Sequence, residues 1–131
     1  MDFTSKKIGL IIGKRATGKT EFCKNILQSF VNTHQIHIFT HRITLHQYLH
    51  FRAILHLPDY TNEIIKDLLL DHLLTNDLSR KLCLVFDDNT INNKTMNLLF
   101  KASDNHDVNI IFVSQFVNSY DRRTFDFFAC H

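Results

Sequence analysis

The chain has 131 residues, 44% of them apolar, with a formal charge of +2. The length fits one domain over residues 1–131, and the apolar share is enough for a core, which excludes global disorder. So small a net charge does not by itself announce a nucleic-acid partner, although Lys6, Lys7, Lys14, Arg15 and Lys19 gather near the N-terminus.

Cys23, Cys83 and Cys130 lie far apart and form no Cys-x-x-Cys pair. Neither a zinc site nor a disulfide framework follows, and free thiols suit a reducing cytosol. The apolar run near the N-terminus is too short for a signal peptide or a membrane span. The expectation is a soluble intracellular protein with no membrane partner.

In chain order, residues 7–12 (KIGLII) read as a buried strand stopped by Gly13. Residues 19–32 carry Phe22, Ile26, Leu27, Phe30 and Val31 at helical spacing. Residues 35–40 (QIHIFT) alternate as in a half-buried strand. Residues 42–52 suit a short helix, and 53–57 a short strand before Pro58. Residues 60–78 form an amphipathic helix whose stripe is Ile64, Ile65, Leu68, Leu69, Leu73, Leu74 and Leu78. A second buried strand, 81–86 (KLCLVF), precedes a helix over about 92–103. A third, 108–114 (VNIIFVS), ends at Ser114-Gln115. This order predicts an α/β fold with a mainly parallel sheet. The apolar ending "FDFFACH" implies that a further strand is missing, and Phe125, Phe127 and Phe128 suit core packing or a subunit interface.

"GKRATGKT", Gly13 to Thr20, satisfies G-x-x-x-x-G-K-[ST] in full. In such a loop Gly13, Lys14, Arg15, Ala16, Thr17 and Gly18 curl their backbone around phosphate oxygens. Lys19 reaches the β- and γ-phosphates of ATP, and Thr20 places its hydroxyl on Mg²⁺. The bare alternative is a strand-to-helix turn without a ligand. "KLCLVFDDN" supplies acids at a strand end. Asp87 there suits a Mg²⁺-linked carboxylate and Asp88 a water-activating base, which favours hydrolysis over mere binding. The alternative is an Asp-Asp-Asn turn that caps the next helix. Gln115, beyond the third strand, is placed to hydrogen-bond the γ-phosphate or the attacking water.

Taken together, "GKRATGKT", "LVFDDN" and "HDVNIIFVSQ" resemble the poxvirus-type genome-packaging ATPases of large DNA viruses, in the FtsK/HerA superfamily of P-loop NTPases. The resemblance spans about residues 7–128. It implies a RecA-like, three-layer core in which the Gln115 strand lies between the other two motif strands. By matching position it assigns phosphate and Mg²⁺ contacts to Lys19 and Thr20, the metal-linked acid to Asp87, the water-activating acid to Asp88 and the polar sensor to Gln115. It also implies a ring-shaped homo-oligomer that drives double-stranded DNA into a capsid, in the host cytoplasm (the virus factory) or the virion. The family often has Arg-His before the sensor strand, where this chain has Asn105-His106. Arg122 or Arg123 is then left to act on a neighbouring subunit's nucleotide. Family members usually continue beyond this chain's end.

Two other functions suit the same residues: a small P-loop nucleoside or nucleotide kinase, with Arg122-Arg123 as its only lid arginines, or a nucleotide-binding fragment without turnover. His46 and His50, four residues apart, lack a third metal ligand at a plausible spacing.

Overall fold

The computed structural model describes residues 7–13, 18–57, 59, 61–75, 81–88, 91–105, 108–114 and 127–130. Its strands are β1 (Ile8–Ile12), β2 (His34–Thr40), β3 (Ile54–His56), β4 (Lys81–Asp87), β5 (Val108–Ser114) and β6 (Phe127–Cys130). Its helices are α1 (Lys19–Leu27), α2 (Arg42–Leu45), α3 (Thr61–Thr75) and α4 (Asn93–Asn105), with a 3-10 turn at His46–Tyr48.

The strands form one sheet in the order β3-β2-β4-β5-β1-β6. Every pairing is parallel. β5 therefore lies between β1 and β4, as the resemblance implies for the sensor strand.

Alternating strand side chains build two cores. Leu10, Phe39, Leu84, Phe86, Ile110 and Phe112 meet Ile65 and Leu69 of α3 and Leu99 of α4 on one face. Ile11, Ile38, Val85, Ile111 and Val113 meet Cys23, Ile26 and Leu27 of α1, with Phe30 and Tyr48, on the other. Helices thus cover both faces, giving the expected three layers.

Several expectations shift. The helix expected over 19–32 ends at Leu27, because tighter bonds such as Phe30 N–H to Leu27 O (2.9 Å) replace the helical ladder; Phe30 is buried all the same. β2 is not half-buried: Ile36 to Thr40 are all buried, since the strand has β3 and β4 on its sides and core on both faces. The helix expected over 42–52 shrinks to α2 and the 3-10 turn.

In α3, Leu74 is 74% exposed, although the stripe includes it. At 100° per residue it falls opposite the buried Ile65. Leu78 lies outside the described residues. The apolar ending that implied a missing strand itself forms β6, aligned with β1 from Gly9↔Phe127 to Ile12↔Cys130. Phe125 lies outside the described residues.

Candidate active site

The site lies where β1, β2 and β4 end, at the carboxyl edge of a parallel sheet. Gly13 leaves β1 with its N–H donating to Ser114 O of β5 (3.1 Å). Gly18 then starts α1 in a left-handed conformation (φ 82°, ψ 16°). Only glycine takes that shape without a Cβ clash, which explains the second glycine of the motif. Lys14, Arg15, Ala16 and Thr17 lie outside the described residues.

Lys19 and Thr20 begin α1 and are nearly buried, at 6% and 5% exposure. The Lys19 ammonium donates to Gly13 O (3.3 Å) and pairs with Asp88 Oδ2 (3.4 Å). The Thr20 hydroxyl donates to Asp87 Oδ2 (2.9 Å). Residues 67 positions apart thereby close one site.

Asp87 is fully buried at the end of β4. Its Oδ2 also accepts a bond from the Tyr48 hydroxyl (2.6 Å), whereas Oδ1 is buried without a partner among the described residues. On the neighbouring strand Thr40, paired in register with Asp87, has a buried hydroxyl without a partner among the described residues. Burial pushes the Asp87 carboxyl above its ordinary range; the bonds from Tyr48 and Thr20 pull it back, Asp88 pushes it up and Lys19 pulls it down. Burial, together with Cys23 and Asp87, raises the Tyr48 hydroxyl, so it remains a donor. Burial also raises the Cys23 thiol well above its ordinary range, with Asp87 and Cys83 adding to the shift.

Asp88 takes a left-handed backbone (φ 53°), a conformation Asp tolerates better than most residues. Its N–H donates to Val113 O (2.9 Å) while its side chain faces Lys19. The helix-capping alternative for Asp87 and Asp88 gives way here. Asn92 caps α4 instead, its Oδ1 accepting the Thr95 N–H at 2.8 Å.

Gln115, Arg122 and Arg123 lie outside the described residues. Tyr48 and Thr40 carry no sequence signal; their places depend on strand order and on a turn closing over α1. His46 and His50 line a shallow groove of about 300 Å³ beside α1 with Glu21, Lys24 and Gln28. Among the described residues no cluster of three His, Cys, Asp or Glu side chains could hold a metal.

No protein-family model matches the chain, and no curated protein matches it in sequence. Among solved structures, EssC (ATPases 2 and 3) from Geobacillus thermodenitrificans superposes with a TM-score of 0.65 at 11% identity. The match covers 94% of this chain. The mainly parallel α/β fold is similar to that of an ATPase domain. At such identity the likeness is one of fold, and this chain spans 32% of that chain's length. Among the described residues no helix is long and apolar enough to cross a membrane.

Proposed function

We propose that this chain is a Mg²⁺-dependent ATPase, a motor subunit that drives double-stranded viral DNA into a capsid as a ring of identical copies. The observation that carries the hydrolytic part is the double closure of the strand ends, Thr20 on Asp87 at 2.9 Å and Lys19 beside Asp88 at 3.4 Å. The ATPase-domain fold supports it. DNA, the ring, the capsid and the viral setting rest on the sequence resemblance.

Residues Gly13–Thr20 cradle the phosphates, and Lys19 neutralises charge on the β- and γ-phosphates. The donor set fits Mg²⁺: a hard cation takes oxygen ligands, and the buried, unpartnered Asp87 Oδ1 lies beside the Thr20 hydroxyl's acceptor. Thr20 and Asp87 would hold the ion, which when bound neutralises phosphate oxygens. Asp88 accepts the proton of the attacking water, whose oxygen bonds to the γ-phosphorus as the β–γ bridging bond breaks. The electron pair leaves with ADP. Gln115 orients that water or the γ-phosphate, and Arg122 or Arg123 reaches a neighbour's nucleotide.

The test compares phosphate release from ATP, with and without duplex DNA, against phosphate transfer to nucleosides. The motor reading expects release stimulated by DNA, with DNA affinity falling steeply as salt rises. Transfer to a nucleoside would establish the kinase instead.

A further inference from the structure

Tyr48, like Thr40, is a residue of the site that no sequence pattern singles out. Its ring is fully buried in the core under α1, and its hydroxyl donates to Asp87 Oδ2 at 2.6 Å. Thr20 donates to the same oxygen at 2.9 Å. A carboxylate can turn about its terminal bond, which is broad and roughly two-fold. Two donors fixed on one oxygen, one from α1 and one from the 3-10 turn, hold that rotation. The other oxygen, Oδ1, is left buried and, among the described residues, unpartnered.

Other features carry less. The groove lined by Glu21, Lys24 and His46 has nothing to show what fills it. The exposed Ile43, Leu49 and Ile54 have no indicated occupant.

We propose that Tyr48 is a positioning residue of the nucleotide site: its hydroxyl fixes the Asp87 carboxylate so that Oδ1 stays available to a divalent cation or its bound water. The proposal rests on the reading of Asp87 as the metal-linked acid. Partners that orient a metal-binding group typically change metal affinity by about 10- to 100-fold when lost. A role confined to packing would be met equally well by phenylalanine.

The experiment uses the full chain and Tyr48→Phe, which removes one oxygen and keeps the ring. Binding of a fluorescent ATP analogue is measured without metal, and Mn²⁺ binding to the ATP complex is followed by the loss of its free paramagnetic signal. Tyr48→Phe should leave metal-free nucleotide affinity unchanged and weaken Mn²⁺ by about 10-fold or more. In turnover, half-saturation by Mg²⁺ should rise similarly, with a far smaller change in kcat at saturating metal. Equal Mn²⁺ affinity in the two proteins overturns the role of Tyr48 and leaves the nucleotide site standing. Loss of metal-free nucleotide binding in Tyr48→Phe assigns the hydroxyl to holding the fold and also overturns it. A wild-type ATP complex that takes up no Mn²⁺ overturns the reading of Asp87, and the Tyr48 proposal with it.

Discussion

On the α1 face of the sheet, β2 and β4 end in Thr40 and Asp87, with the hydroxyls of Tyr48 and Thr20 turned onto the acid. On the opposite face, one residue earlier, the same strands carry Phe39 and Phe86, whose rings stack at 5.0 Å. Phe112 of β5 continues the row at 5.4 Å from Phe86, and His56 of β3 extends it at 4.5 Å from Phe39. These rings are register partners across four strands. The difference teaches what places the chemistry. A slip of one residue would turn Asp87 into the α3–α4 core and Phe86 into the site. The aromatic face fixes the register; the polar face uses it.

Breaking the aromatic row should have the largest effect. Phe86→Ala is expected to cost about 3–5 kcal/mol of folding stability in denaturant unfolding, because a fully packed ring leaves a cavity. Phe86→Leu should lose far less and keep nucleotide binding.

On the polar face, Lys19→Ala should lower ATP turnover by about 10²- to 10³-fold, the usual loss for one charge-stabilising group. Steady-state phosphate release reads this directly, and unchanged thermal melting would separate it from the Phe86 effect. Asp88→Asn is next. Turnover should fall by about 10²-fold, the contribution of a positioned base. ATP affinity should persist, since asparagine also accepts the left-handed backbone at this position.

The smallest effect belongs to the edge of the aromatic row. Burial lowers the His56 pKa, and its Nε2 lies 3.0 Å from His37 Nδ1. A lowered pKa favours the neutral ring in the fold. Its stabilising effect is therefore complete above the ordinary value of about 6.5 and is lost as pH falls through the lower, folded value. Melting temperature should drop over that acid window in the wild type, and less in His56→Gln.

The comparison of the two faces also marks what the sequence made legible. The phosphate loop, the acid pair and the three motif strands are local patterns, each contained in a few consecutive residues; among the described residues, Gly13 and Gly18–Thr20, the acid pair and the strands fall in the expected elements. The placing of β5 between β1 and β4 came from the resemblance. By contrast, Tyr48 meets Asp87 from 39 residues away, through a turn too short to show a helical period. The burial of β2 was hidden because Gln35 and His37 alternate with Ile36 and Ile38, yet His37 is buried too, on a strand flanked by β3 and β4. β6 was hidden for a related reason: four residues of Phe-Phe-Ala-Cys carry no alternation that separates a strand from generic core.

The central claim is that the polar strand ends form a site that hydrolyses ATP, with Asp88 acting on water. The most direct measurement is phosphate release by the wild-type chain and by Asp88→Asn, at saturating ATP and Mg²⁺ across a range of protein concentrations. The account predicts Mg²⁺-dependent release by the wild type, and ATP binding with release slowed about 10²-fold in Asp88→Asn. Equal release by both proteins, or none by the wild type at any concentration, would contradict it.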